Sequence, residues 1–66
     1  MNIVLNGDPH SAPEGATVLT LLASLALEPT RVAVELNGQI VKRALWAETL
    51  IEPGAKIEIV QFVGGG

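Results

Sequence analysis

The sequence predicts an α+β fold in which one main helix packs on one face of a mixed, four- to five-stranded sheet. Two Asn-Gly pairs, Asn6-Gly7 and Asn37-Gly38, each follow a short apolar run, and such pairs favour two-residue hairpin turns because they tolerate positive φ. Between the two hairpins lies the one stretch that has apolar residues at helical spacing. A last alternating run, Lys56 to Phe62, predicts one more strand.

The first hairpin joins Ile3-Val4-Leu5 to a second arm between Pro9 and Ala12. Proline has no N–H to donate to a strand ladder, so strands that contain it are confined to sheet edges. We therefore expect the second arm to be short and to lie at an edge.

The helix follows from an apolar stripe at i, i+3, i+4 and i+7, made by Val18, Leu21, Leu22 and Leu25. Thr17 precedes the stripe, and its hydroxyl can accept from a first-turn amide, so we expect it to be the N-cap. Pro29 bars continuation and pushes the residue before it out of the α region. The helix is therefore expected to end by Ala26 or Leu27.

The second hairpin joins the run from Val32 to Leu36 to Gln39-Ile40-Val41. The segment from Lys42 to Ala47 is long enough for one short helical turn. Glu52-Pro53-Gly54-Ala55 fits a type II turn, because proline presets φ and glycine accepts a positive φ. The last strand, Lys56 to Phe62, follows that turn.

One helix must cover one face of the sheet to make a core. The side chains expected beneath it are the alternate apolar positions of the strands: Ile3, Leu5, Val32, Val34, Leu36, Ile57 and Ile59. The first and last strands would be adjacent and parallel in the middle, with right-handed crossovers. This is the β-grasp layout, and it is a fold-level prediction, because periodicity alone does not set the order of strands.

Size and charge limit what the chain can do. Its 66 residues make one small domain that buries only about 60% of its unfolded surface, so a bilobed, enclosed active site is not expected. A net charge of −3 disfavours binding to a phosphate backbone, so we expect no nucleic-acid partner. A basic partner surface is compatible with that sign.

The side chains offer no catalytic constellation. The chain has no Cys and a single His, His10, so a disulfide framework, a thiol nucleophile and a metal site are not expected. The longest run of low polarity, Val18 to Leu27, is too short to span a bilayer. We therefore expect a cytoplasmic protein with no membrane partner, no bound cofactor and no catalytic residue of its own.

The face of the sheet away from the helix has an apolar cluster. Val60 and Phe62 alternate with Ile57 and Ile59 and so point away from the helix, and Val4 should share their face. If the first and last strands pair, these three side chains make an exposed apolar patch next to the end of the chain. Exposed apolar clusters often mark partner sites, so Val4, Val60 and Phe62 are predicted to dock a partner enzyme.

The chain ends in Gly64-Gly65-Gly66, and we expect residues 1–62 to form the domain and residues 63–66 a flexible tail. Glycine has no Cβ, so a tail of this kind can thread narrow channels in other proteins. Three extended glycines span about 10 Å, which is enough to carry the end group away from the domain surface. The terminal carboxylate is a poor electrophile, so another enzyme must activate it.

Four segments together carry a family resemblance: Gly15-Ala16-Thr17-Val18, Val34-Glu35-Leu36-Asn37-Gly38 with Ile40-Val41, Trp46-Ala47, and the ending Val60-Gln61-Phe62-Val63-Gly64-Gly65-Gly66. On these segments the chain resembles, over nearly its whole length, the ThiS family of sulfur carriers, ubiquitin-like β-grasp proteins of thiamin biosynthesis. The apolar strand that runs into terminal glycines is the specific part of the resemblance.

The resemblance implies a particular chemistry for the end of the chain. The carboxylate of Gly66 would be adenylated by an E1-like enzyme that uses ATP, while Gly64 and Gly65 thread the active sites of partners. A persulfide donor such as a cysteine desulfurase would then give a thiocarboxylate, whose sulfur goes to thiazole synthase. The chain would be a protein cosubstrate and not an enzyme.

Three alternatives stay open at this point. The small subunit of molybdopterin synthase uses the same terminal chemistry, although the shortness of the chain, Trp46-Ala47 and Phe62-Val63 favour the thiazole branch. A ubiquitin-like modifier would instead be joined to lysines by an isopeptide bond. An interaction module with an inert tail would undergo no reaction at Gly66.

Overall fold

Five strands, one α-helix and two short 3-10 helices make up the computed structural model, which describes residues 1–62. In chain order the elements are β1 (Asn2–Leu5), β2 (Asp8–Ser11), α1 (Val18–Ser24), a first 3-10 helix (Pro29–Arg31), β3 (Val32–Leu36), β4 (Gln39–Ile40), a second 3-10 helix (Arg43–Glu48) and β5 (Lys56–Gln61). Each element predicted from the sequence is present, in the predicted order.

The strands form one mixed sheet in the order β2-β1-β5-β3-β4. β1 and β5 are neighbours and parallel, while the other neighbouring strands are antiparallel. The central parallel pair expected for a β-grasp layout is therefore confirmed. β2, which contains Pro9, lies at an edge of the sheet, as its proline predicts.

Both Asn-Gly pairs adopt the conformation that their hairpins need. Asn6 and Gly7 have φ angles of 49° and 84°, and Asn37 and Gly38 have 52° and 86°. Two positive φ values in succession match the right-handed twist of the strands. The turn before β5 also forms as predicted, because the N–H of Ala55 donates to the carbonyl of Glu52 at 3.0 Å.

The helix α1 starts at the predicted cap and ends at Ser24, before the predicted limit at Ala26 or Leu27. The hydroxyl of Thr17 accepts a hydrogen bond from the N–H of Thr20 at 3.2 Å, and the Thr20 hydroxyl accepts one from the N–H of Thr17 at 2.9 Å. At the other end Ala26 has a φ of 57°, and Leu27 donates its N–H to the carbonyl of Leu22. These features make a Schellman turn, which ends the helix ahead of the proline.

The core lies between α1 and the inner face of the sheet. The seven strand positions predicted to face the helix are all buried or packed against the buried cluster. The side chain of Trp46, on the second 3-10 helix, is also buried, and its indole N–H donates to the carbonyl of Val41 at 2.8 Å. Trp46 is thus a core residue whose polar atom has a partner, which is the usual condition for burying tryptophan.

Candidate functional site

The outer face of β5 has the exposed apolar side chains that alternation predicts. Val60 and Phe62 are 59% and 56% exposed, while Ile57 on the opposite face is fully buried. Val60 lies opposite Ala33 of β3, and the backbone N–H of Phe62 donates to the carbonyl of Arg31 at 2.7 Å. The backbone of β5 is therefore held by β3 and by Arg31, the residue just before β3, as far as Phe62.

Val4 shares this face but is separated from the other two predicted docking residues. The parallel register places Val4 beside Lys56 at the start of β5, and Val60 lies four residues further on, about 13 Å along the strand. On its other side Val4 pairs with Pro9. The structure therefore divides the predicted patch into Val4 at one end of the strand and Val60 with Phe62 at the other.

Phe62 shares a groove with residues that were not predicted to belong to the docking patch. Phe62 lines a groove of about 290 Å³ together with Ala33 and Ile40, and Ile40 is 75% exposed. Ile40 lies opposite Glu35, which lies opposite Glu58, so Ile40 and Val60 share the outer face. We call Ala33, Ile40, Val60 and Phe62 the outer-face patch.

A signal for Ile40 was present in the sequence. A two-residue Asn-Gly turn fixes the register of its hairpin, and this register pairs Leu36 with Gln39 and Glu35 with Ile40. Because paired residues point to the same face, Ile40 had to lie on the face opposite to Val34 and Leu36.

The rim of the groove is basic. Lys42 and Arg43 line it, and Arg31 is hydrogen-bonded through its carbonyl to Phe62. The side chains of all three are exposed, and within residues 1–62 none of them makes an ion pair. Positive charge therefore lies beside the outer-face patch in a chain whose net charge is −3.

Both turn asparagines bind β5 through their side chains. The amide oxygen of Asn6 accepts from the N–H of Ile59 at 2.7 Å, and its amide nitrogen donates to the carbonyl of the same residue at 3.3 Å. The amide oxygen of Asn37 accepts from the N–H of Lys56 at 2.9 Å. Both asparagines were predicted only as turn residues, and their side-chain bonds to β5 were not predicted.

The described part of the chain holds no group of three His, Cys, Asp or Glu side chains that could bind a metal ion. None of the helices seen between residues 1 and 62 is long and apolar enough to cross a membrane. The predictions for the glycine tail, including those for Gly64, Gly65 and Gly66, lie outside the described residues.

The sheet order, the α1 helix across its inner face and the exposed outer face define a ubiquitin-like β-grasp protein. The family model of the ThiS family matches residues 3–66. The chain belongs to the ThiS family.

Relatives of similar length support this assignment. The sulfur carrier protein ThiS of Escherichia coli is 33% identical over 66 residues, which is 100% of both chains. The protein of the same name from Bacillus subtilis is 41% identical over 63 residues, covering 94% of this chain and 96% of that one. The crystal structure of a thiamine biosynthesis protein, ThiS, from Geobacter metallireducens matches with a TM-score of 0.86, 35% identity and full coverage of both chains.

A longer relative carries a different name. A thiazole synthase of Magnetococcus marinus is 42% identical over 66 residues, which is 100% of this chain but 20% of that protein. A second thiazole synthase, from Paramagnetospirillum magneticum, is 39% identical with the same coverage. The chain thus spans about a fifth of the length of these two relatives.

Proposed function

We propose that this chain is a sulfur carrier of thiamin biosynthesis, a protein cosubstrate whose Gly66 carboxylate is activated and loaded with sulfur. The observation that supports it most directly is the family match, which runs through residues 3–66 and so includes the terminal glycines. The β-grasp body supplies recognition, and partner enzymes supply the catalytic groups.

The proposed chemistry proceeds in three steps. The Gly66 carboxylate attacks the α-phosphorus of ATP on an E1-like enzyme, which gives an acyl adenylate and releases pyrophosphate. The terminal sulfur of a persulfide attacks the acyl carbon, and AMP leaves. A thiol then cleaves the new S–S bond, so that a thiocarboxylate remains on the chain and a disulfide forms on the donor side.

The body of the domain is suited to present such an end group. β5 is central in the sheet, and the N–H of Phe62 is still hydrogen-bonded to the carbonyl of Arg31, the residue just before β3. The four residues beyond Phe62 reach at most about 14 Å. A partner that receives Gly66 must therefore lie against the domain near Phe62, which supports the outer-face patch as its docking surface.

Thiazole synthase is the proposed acceptor of the sulfur. The two thiazole synthases that match carry a segment similar to this whole chain within a polypeptide about five times as long. A carrier segment and an acceptor in one polypeptide would be held at a high effective concentration. This arrangement in relatives supports thiazole synthase as the partner of this chain.

The test is a loading reaction followed by intact mass measurement. The chain is incubated with the E1-like enzyme, ATP and a persulfide donor, and a sulfur carrier gains the mass difference between sulfur and oxygen at its C-terminus. Conjugates with lysines of other proteins would instead indicate a modifier. An unchanged mass with an enzyme that loads the Bacillus subtilis relative would overturn the proposal.

Deletion of Gly66 should abolish loading. The shortened chain still ends in a carboxylate, but that group lies about 3.5 Å short of the reacting phosphorus, and misplacements of about 1 Å can cost a factor of 100 in rate. Circular dichroism should show an unchanged fold, because residue 66 comes five positions after the end of β5 in the sequence. Loading of the shortened chain would contradict the role of Gly66.

Phe62→Ala should raise the KM of adenylation about tenfold at unchanged kcat, because an exposed aromatic on the docking face is a typical hot spot. The matched control is Leu50→Ala, since Leu50 is 62% exposed but pairs with Thr17 at the start of α1. Equal KM values for Phe62→Ala and Leu50→Ala would show that the outer-face patch is not part of the docking surface.

A further inference from the structure

The hydrogen bonds of Asn6 take the place of missing strand pairing. β1 ends at Leu5, which lies beside Ile57, whereas β5 continues to Gln61. The backbone N–H of Asn6 still donates to the carbonyl of Ile57 at 2.8 Å. Beyond that point a parallel neighbour would offer a carbonyl to the N–H of Ile59 and an N–H to its carbonyl.

The side chain of Asn6 supplies both of these groups. Its amide oxygen accepts from the N–H of Ile59 at 2.7 Å, and its amide nitrogen donates to the carbonyl of Ile59 at 3.3 Å. The backbone of Asn6 has a φ of 49° and is turning into the hairpin. The side-chain amide of Asn6 therefore continues the hydrogen bonding on the β1 side of β5 by two residues, from Ile57 to Ile59.

This extension lies at the end of β5 that leads to Gly66. Within residues 1–62, Asn6 makes the last hydrogen bonds that β5 receives from the β1 side, and Phe62 has its backbone bond only on the β3 side. A strand held on both sides at Ile59 leaves the sheet in a fixed direction, whereas a strand held on one side can swing about the ladder with β3.

We propose that Asn6 is a positioning residue for the sulfur-loading reaction, which fixes the direction in which the chain leaves the sheet. The proposal rests on the sulfur carrier function proposed above. Asn6 acts through β5 and touches no reacting group. Its loss should therefore lower the rate at which the bound carboxylate reaches the adenylating geometry and leave docking of the outer-face patch unchanged.

Asn6→Gly is the test variant, because glycine accepts the positive φ of the turn and lacks the amide. Asn37→Gly is the matched control: it has the same turn position, a similar φ of 52° and an equivalent bond from its amide oxygen, but that bond holds Lys56 at the far end of β5. Both variants should lose a similar amount of stability in urea unfolding.

The two variants should differ in the adenylation reaction. For Asn6→Gly we expect kcat to fall about tenfold or more at unchanged KM, since small misplacements are costly in rate. For Asn37→Gly we expect kcat and KM of the wild-type chain. The kinetics of both variants are measured below the temperature at which either begins to unfold. If Asn6 had only a structural role, the kcat of Asn6→Gly would then equal that of the wild-type chain.

Amide hydrogen exchange reports the same contrast without any enzyme. Exchange at Ile59 should become at least tenfold faster in Asn6→Gly than in Asn37→Gly, because only Asn6→Gly removes the local hydrogen bond, while the loss of global stability is common to both. Asn6→Asp keeps the acceptor for the N–H of Ile59 and loses the donor, so its kcat should lie between those of Asn6→Gly and the wild-type chain.

Equal kcat values for Asn6→Gly and Asn37→Gly would overturn the positioning role while the wild-type chain is still loaded with sulfur. A wild-type chain that is not loaded at all would instead refute the carrier function. A fall in kcat that accompanies a matching rise in KM would assign Asn6 to docking and would also overturn the inference.

Discussion

Ala26 has a backbone conformation that ordinarily belongs to glycine. Its φ of 57° closes the C-terminal turn of α1, and the left-handed region costs a residue with a Cβ about 1–2 kcal/mol. The side chain is exposed, so nothing in the core depends on its methyl group. The cost is tolerated because the turn directs the chain from α1 towards β3.

Ala26→Gly should therefore raise the free energy of unfolding by about 0.5–1 kcal/mol, after allowance for the greater freedom of glycine in the unfolded chain. The control is Ala23→Gly, at an exposed position inside the helix, which should lower it by about 1 kcal/mol. Urea unfolding of both variants gives the comparison, and destabilisation by both would contradict the prediction.

For single residues, the sequence predicts the backbone conformation better than it predicts the partners of the side chain. The positive φ values of Asn6 and Asn37 follow from residue type, because Asn-Gly is the usual pair for their turn. The partners of their side chains do not follow, since Ile59 is 53 positions away from Asn6 and only the assembled sheet brings the two together.

At the scale of the strands, β3 and β5 bring two carboxylates face to face. Glu35 and Glu58 are directly opposite on the outer face, and like charges in this position are destabilising. Neither side chain makes an ion pair among residues 1–62. Lys56, two residues before Glu58 on the same face of β5, lines the same groove as both carboxylates, so its positive charge offsets part of the repulsion without forming an ion pair.

Glu58→Gln should raise the free energy of unfolding by about 0.2–1 kcal/mol, and the gain should shrink with added salt. Glu52→Gln is the control, because it removes the same charge from the turn before β5, where no strand residue lies opposite. Thermal unfolding at low and high salt measures both effects. A gain that is equal in the two variants would attribute it to net charge and not to the cross-strand pair.

The sequence predicts the register of the two hairpins but not the register between β1 and β5. Two-residue turns set the registers of both hairpins, so the face of Ile40 could be derived from the sequence. No turn joins β1 to β5, and their alignment is set by packing of the whole core. The alternation of β1 therefore predicted which face Val4 occupies, but not that it lies beside Lys56.

At the scale of the whole molecule, the charges are distributed unevenly. Of the four Lys and Arg residues, Lys42 and Arg43 line the groove that Phe62 lines, Arg31 accepts the backbone hydrogen bond of Phe62, and Lys56 is at the start of β5. A partner that docks on the outer-face patch should therefore present carboxylates to this rim, which favours one orientation of the complex.

Arg43→Gln should raise the KM of adenylation severalfold at low salt, and the difference from wild type should shrink as ionic strength rises. Lys56→Gln is the control, because it removes an equal charge at the other end of β5. Kinetic measurements at two salt concentrations make the comparison. A larger effect of Lys56→Gln would place the acidic surface of the partner elsewhere.

The central position of β5 also has a mechanical consequence. β5 is flanked by β1 and β3, so tension applied to the chain beyond Phe62 and along the strand axis loads both ladders in shear. Bonds loaded in shear share the force, whereas those of an edge strand under a sideways pull would open one after another. An enzyme that grips the end of this polypeptide can therefore pull it taut without unravelling the sheet.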